Sequence, residues 1–203
     1  MKLVLATRNP GKAEELRARL DGLDVELISA ADLDDAPEVE EDARTLAGNA
    51  KKKALALHHH TGLPALADDT GLEVYALDMK PGVHSARYAG PNADDGTNRK
   101  KLLVNLNAAN KQNGDADRAA RFRTVLAFAH GGVVRLFEGR CDGTIAEKEK
   151  GDGGFGYDSI FQPEGETKTF AEMEPDEKNA ISHRGKALDR FSGYLQTKLD
   201  AHT

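Results

Sequence analysis

Apolar positions in this chain fall into short runs alternating with helical stripes. Lys2–Ala6 carries Leu3-Val4-Leu5, a run too short for a helix, and reads as a buried strand. Leu16, Leu20 and Leu23 recur at spacings of four and three, which predicts an amphipathic helix over Lys12–Asp21. Val25-Glu26-Leu27-Ile28 reads as a second strand, so the chain opens as an α/β unit. After an acidic loop, Asp32–Asp42, a helix is predicted from about Thr45 to His60, stopped by Gly62. Leu66–Leu77 reads as a strand interrupted by Asp68-Asp69-Thr70-Gly71, and Pro81–Gly96 as a long loop.

Thr97–Leu106 is helical in pattern, with Thr97 as its N-cap, and Asn107–Asp117 is a polar excursion without periodicity. Arg121–His130 and Val133–Glu138 flank Gly131-Gly132, a two-residue hairpin turn. The glycine run Gly151–Asp158 leads into the strand-like Ser159-Ile160-Phe161. A last helix begins near His183, with Ser182 as N-cap and Leu188, Phe191, Leu195 and Leu199 as its apolar stripe. There are no repeats and no sharp linker, so residues 1–203 are expected to form a single domain.

Composition narrows the classes. The single Cys141 makes neither an intrachain disulfide nor a zinc knuckle. The first apolar run is too short for a signal peptide, and no stretch approaches the ~18 residues of a membrane span. A cytoplasmic protein is the expectation. Lys plus Arg total 28 against 34 Asp plus Glu, a net charge of −6, which argues against a general nucleic-acid binder. It leaves room for a small anionic ligand in a local basic pocket.

Five segments carry candidate chemistry. Thr7-Arg8-Asn9-Pro10-Gly11-Lys12 joins a buried strand to a helix, presenting backbone N–H groups and the Asn9 and Lys12 donors to an anion such as phosphate. It lacks the upstream Gly and the following Ser or Thr of a Walker A loop, and an ordinary polar turn is the competing reading. Glu40-Glu41-Asp42 and Asp68-Asp69 are two acidic clusters from different segments. Two such carboxylates suit Mg²⁺ or the activation of a water, while a solvated loop and a turn are the bland alternatives. On the predicted helix, Leu46, Ala50, Lys53 and Leu57 share one face, so Lys53 points inward, with Asn49 one turn before it. His58-His59-His60 are consecutive, do not face one another, and read as solvated.

The glycine run holds Phe155 and Tyr157 on a backbone that permits close ligand approach. An aromatic there is a platform for stacking a base, or simply a core side chain beside a glycine hinge. Lys178 and Ser182-His183-Arg184 place cations near a helix N-terminus, where the dipole disfavours them; a ligand carbonyl is one reason for their presence, a solvated basic turn another.

In this order, LATRNPGK, TLAGNAKKKA, ALADDTGL, HSARYAG, GGFGYDSIF and ISHRGKAL resemble the motifs of the inosine triphosphatase-like family of non-standard purine nucleoside triphosphate pyrophosphatases. The resemblance covers essentially the whole chain. It implies an α/β fold with a long curved mixed sheet and flanking helices forming two lobes around a central cleft, in a homodimer. It implies Mg²⁺-dependent hydrolysis of ITP, dITP and XTP to the monophosphate and pyrophosphate. By the same resemblance, Thr7, Arg8, Asn9, Pro10, Gly11, Lys12 and Lys53 bind the triphosphate. Glu41 and Asp69 ligate Mg²⁺, Asp69 is the general base, and Thr70 contacts substrate. Phe155 stacks on the base, and Gly156, Tyr157, Asp158, Lys178, His183 and Arg184 complete base and sugar recognition. The family commonly has Glu where Gly48 stands, an aromatic at Leu46 and Ser at Thr70. Two rivals remain at this point: a pyrophosphatase for modified pyrimidine nucleotides, and a non-catalytic nucleotide-binding module.

Overall fold

The computed structural model describes residues 1–7, 9–33, 35–113 and 117–200. Arg8 lies outside them, as does the middle of the Asn107–Asp117 excursion. In chain order the strands are β1 (Lys2–Leu5), β2 (Glu26–Ser29), β3 (Ala65–Val74), β4 (Lys80–Pro81), β5 (Ala119–His130), β6 (Val133–Ile145) and β7 (Phe161–Pro163). The helices are α1 (Pro10–Leu20), α2 (Leu46–Thr61), α3 (Asp95–Asn113), α4 (Pro175–Ile181) and α5 (His183–Asp200). The strands form one mixed sheet of order β2-β1-β3-β5-β6-β7, with β4 added to β3. β1 runs parallel to β2 and β3, whereas β3–β4 and β6–β7 are antiparallel. Among the described residues no helix is long and apolar enough to cross a membrane.

The chain divides into two compact units. The first comprises Met1–Asp69, Thr124–Gly139 and His183–Thr203; the second comprises Thr70–Arg123 and Arg140–Ser182. The chain passes from one to the other within β3, β5 and β6 and at the start of α5.

In the first unit, α1 and α5 bury their stripes together with β1. Leu16 and Leu20 meet Leu188, Phe191 and Leu195, joined by Leu3, Leu5, Leu66 and Phe128. A second cluster places Leu57 of α2 against Val4 and Ala65. Gly139 is required where β6 meets α5, because a Cβ there would overlap the His183 carbonyl oxygen and the Ala187 backbone. In the second unit, Leu102 and Leu106 of α3 pack with Leu72, Phe122, Phe161 and Phe170, whose last three rings contact one another.

Several boundaries differ from the sequence expectation. α1 begins at Pro10, two residues early, because Pro suits the first helical turn and Asn9 caps it. α3 begins at Asp95 and runs to Asn113; Asp94, not Thr97, acts as the cap, accepting from the Thr97 N–H at 2.6 Å. β3 is continuous through Asp68-Asp69-Thr70-Gly71. The start of α2 near Thr45, its stop at Gly62 in the left-handed conformation and the positive φ of Gly131 and Gly132 in the hairpin match the expectation, whereas Ser159 and Ile160 lie in a 3-10 turn (Asp158–Ile160) ahead of β7 rather than in a strand, and β6 continues past Glu138 to Ile145.

Candidate functional site

The first unit gathers three cations and four carboxylates among the described residues. At the start of α1, the Asn9 side chain accepts from the Lys12 N–H at 3.1 Å, and the Thr7 hydroxyl accepts from the Asn9 N–H at 3.2 Å. Pro10 and Gly11 form the first turn. Asn9–Lys12 is therefore a capped helix start rather than a free loop, its N–H groups at the positive end of the helix. Lys12 Nζ reaches Asp68 Oδ2 on β3 at 2.8 Å. Arg184, in the first turn of α5, approaches the same oxygen at 3.6 Å and donates to Glu15 of α1 at 2.5 Å. Arg184 is 2% exposed, and its neighbour His183 is also buried.

Asp69 faces a different set. Asn49 donates to its Oδ2 at 3.2 Å, while the Asn49 oxygen accepts from the Ala43 N–H at 2.9 Å. Lys53 Nζ lies 3.6 Å from Asp69 Oδ1, 2.7 Å from Glu41 Oε1 and 2.6 Å from the Asp68 carbonyl oxygen. Of the adjacent acids, Glu41 meets Lys53, whereas Asp42 pairs with Lys52. The inward orientation of Lys53 and Asn49 follows the sequence expectation. His59 and His60 are exposed, as expected, and His58 is within hydrogen-bond distance of the Leu63 carbonyl.

These surroundings separate two acids that are adjacent in sequence. Both are buried, which alone raises a carboxyl pKa. For Asp68, Lys12, Arg184 and Lys53 outweigh burial and hold the carboxyl well below the usual range. For Asp69, burial and the Glu41 charge prevail over Lys53 and Lys12, and the carboxyl is held above it. Burial would lower Lys53, but Asp68, Asp69 and Glu41 raise it above its normal value, so it stays an ammonium. Asp68 is thus held as an anion beside Lys12, whereas the Asp69 carboxyl takes up a proton more readily than an ordinary aspartate does.

The donor set around Lys53 also bears on a metal. Glu41 and Asp69, from different segments, turn carboxylate oxygens toward one cation, here the ammonium. No group of three or more His, Cys, Asp or Glu suited to a metal occurs among the described residues. Two hard-oxygen ligands without a full protein cage fit Mg²⁺, which keeps water and phosphate in its remaining positions. A Cβ at Gly48 would come within 2.7 Å of the Ala43 Cβ, so an acidic side chain there would require that segment to shift.

The second unit holds the glycine run. Asp158 is its organiser: its Oδ2 accepts from the Phe155 N–H at 2.9 Å and from Lys178 Nζ at 3.0 Å. Gly154 takes φ 72°, and a Cβ there would overlap the Asp158 carboxylate. Lys178 of α4 is 6% exposed and lies 4.8 Å from the Phe155 ring centre, a cation–π contact. Gly156 takes φ 63°. The buried Tyr157 donates to the Ser85 carbonyl at 2.8 Å, and burial pushes its hydroxyl above the normal range. Thr70 is half-buried on β3. Lys178 and Arg184, grouped by sequence, thus divide between the units: Lys178 sits with Asp158 and Phe155, Arg184 with Glu15 and Asp68.

Sequence reasoning missed Glu15, Asp95 and Arg99. Glu15 had a signal, since it lies three residues after Lys12 and shares its helix face. Asp95 stood in an expected loop, and Arg99 lay in the predicted helix Thr97–Leu106 with nothing local to single it out.

With this geometry in hand, comparison with known proteins gives a consistent result. The sequence profile of the Ham1 family matches residues 3–194. A dITP/XTP pyrophosphatase of Geobacter sulfurreducens is 48% identical over 195 residues, covering 96% of each chain. One from Syntrophobacter fumaroxidans is 51% identical over 187 residues, covering 92% of this chain and 78% of that protein. The solved structure of a HAM1 protein from Coxiella burnetii matches with TM-score 0.89 at 41% identity, over 97% of this chain and 99% of that one.

Proposed function

We propose that this chain, which belongs to the Ham1 family, is a pyrophosphohydrolase that converts ITP, dITP and XTP to the monophosphate and pyrophosphate. The observation that carries the chemistry is the Asp68–Asp69 pair, buried in one strand with opposite surroundings. The relatives named dITP/XTP pyrophosphatase supply the substrate class.

In this reading Asp69 removes a proton from the water that attacks the α-phosphorus. A base with a raised pKa holds that proton better than an ordinary aspartate would. Asn49 holds the Asp69 carboxylate in place through its second oxygen. Lys12, Lys53 and the N–H groups at the start of α1 balance the negative charge that grows on the departing pyrophosphate. Asp68 keeps Lys12 oriented and does not titrate near neutral pH. Glu41 and Asp69 would hold Mg²⁺, which when bound polarises phosphoryl oxygens and neutralises polyphosphate charge.

Base recognition is assigned to Phe155, Tyr157, Asp158 and Lys178 of the second unit. A purine stacking on Phe155 would lie beside the Lys178 ammonium, which is 4.8 Å from the ring centre. An ammonium carries three donors, so the bond to Asp158 is compatible with a second one to a 6-keto oxygen. Adenine presents an amino donor there instead, so donor would face donor.

The test is a panel of dITP, XTP, dATP, dUTP and methylated nucleotides, with and without Mg²⁺, followed by pyrophosphate release. Fast release from dITP and XTP with Mg²⁺, and slow release from dATP, is expected. Preference for dUTP or a methylated pyrimidine would move the chain to the pyrimidine-directed reading. Binding without pyrophosphate would make it a sensing module.

A further inference from the structure

Asp95 and Arg99 hold the glycine run by a single residue, Gly156, through the two peptide units that flank it. They stand four residues apart at the N-terminal end of α3, on one face of the helix. The Asp95 carboxylate accepts from the Gly156 N–H at 2.7 Å. The Arg99 guanidinium donates to the Gly156 carbonyl at 2.7 Å. Gly156 is therefore gripped from both its polar groups, by side chains of opposite charge. Arg99 is itself oriented by Glu149, which accepts from its Nε at 2.9 Å and from the Ser159 hydroxyl at 3.1 Å. Both ends of the segment that carries Phe155 are thus tied to one helix.

This grip matters because of the backbone it restrains. Gly154 and Gly156 both take positive φ, with Phe155 between them. Glycines lose the most conformational freedom on ordering, so a loop built on them holds one shape only through contacts made elsewhere. Asp158 fixes the Phe155 N–H from within the loop. The next residue is fixed from α3. Charge-assisted hydrogen bonds are the stronger kind, and two act here on one residue.

We propose that Asp95 and Arg99 are positioning residues for base recognition: they clamp Gly156 and so hold the Phe155 ring where a purine can stack on it. This rests on the stacking role given to Phe155 above, and it makes no claim on the phosphate chemistry. The function of the pair is preorganisation, so its loss weakens binding of the base without slowing the bond-breaking step.

The experiment is a double-mutant cycle on the full-length protein with dITP as substrate. Arg99→Ala is expected to raise KM about tenfold, the effect of one charge-assisted hydrogen bond, with kcat within about twofold. Arg99→Lys, which can still donate to the Gly156 carbonyl, is expected to recover part of that loss. In a Phe155→Ala background, Arg99→Ala is expected to change KM by less than about twofold, because the ring it positions is gone. Asp95→Ala, which releases the N–H of the same residue, serves as an independent second variant should Arg99→Ala not fold. The clamp is overturned if neither variant raises KM, if kcat falls with KM unchanged, or if the Arg99→Ala effect persists undiminished without Phe155. If Phe155→Ala by itself leaves KM unchanged, the stacking role fails, and the clamp fails with it. A raised KM in Phe155→Ala beside an unchanged KM in Arg99→Ala removes the clamp and leaves stacking intact.

Discussion

The charged clusters of the two units are built on different plans. In the first, Lys12, Lys53 and Arg184 meet Glu15, Glu41, Asp68 and Asp69, so carboxylates outnumber cations and several side chains share partners. In the second, one lysine and one aspartate make a matched pair beside an aromatic ring. A network with surplus negative charge and shared partners can re-pair when a cation and a polyphosphate arrive. A matched pair beside a ring suits an uncharged flat group that must be recognised but not transformed. The difference fits the division of work proposed above, in which the first unit handles charge and the second shape and hydrogen-bond matching.

The largest test of this division is Asp69→Asn. It removes the group poised to take a proton while keeping the size of the side chain, and turnover is expected to fall about 10²- to 10⁴-fold. Thermal unfolding should shift little, and steady-state pyrophosphate release measures the loss. A rate within threefold of the parent would take Asp69 out of the chemistry and dissolve the contrast.

Next comes Lys12→Met, which leaves the buried Asp68 facing Arg184 at the longer 3.6 Å. Breaking a buried pair is costly, and here about 3 kcal/mol of stability should be lost by urea unfolding at neutral pH. An unchanged midpoint would show that Asp68 does not depend on Lys12.

In the second unit, Phe155→Ala should weaken base binding by about 1–3 kcal/mol, read as a rise of about five- to 150-fold in KM for dITP with kcat less affected. Gly154→Ala should act in the same direction by a smaller margin. It forces a side chain into the left-handed region, at about 1–2 kcal/mol, and against Asp158. If either variant lowers kcat at unchanged KM, the assignment of recognition to this unit is wrong.

The smallest expected effect is a stability difference at Glu172. Its carboxylate accepts from the Thr169 N–H at 2.8 Å in a capping box, which holds its pKa below the usual range. A depressed folded-state value gives stability that is present above the unfolded pKa and is lost as pH falls through the folded one. Glu172→Gln should therefore be slightly less stable than the parent at neutral pH, and the gap should close in acid. A gap of constant size from neutral pH to pH 3 would contradict this.

Much of this was legible in the sequence, and the exceptions share a cause. Thr45 and Gly62 marked α2, Gly131-Gly132 marked the hairpin, and Leu188, Phe191, Leu195 and Leu199 marked the packed face of α5, which Ala187 and Tyr194 also join, because caps, turns and periodicity are local signals. The inward face of α2 likewise placed Lys53 and Asn49. By contrast, Asp68-Asp69 read as a break in β3, since adjacent aspartates favour turns. They remain in the strand because Lys12, Arg184, Lys53 and Asn49, distant in sequence, satisfy them in the fold. The separation of Lys178 from Arg184 was invisible for the same reason. Each takes its partner from a segment far along the chain, and nothing in the local pattern around Ser182 distinguishes them.

The most direct test of the central claim is the position of the attacked bond. Hydrolysis of dITP in ¹⁸O-labelled water, with the products resolved by phosphorus NMR or mass spectrometry, reports it. The account predicts one labelled oxygen in the monophosphate and none in the pyrophosphate. Label in the pyrophosphate, or release of orthophosphate in its place, would contradict attack at the α-phosphorus and with it the role given to the Asp69 cluster.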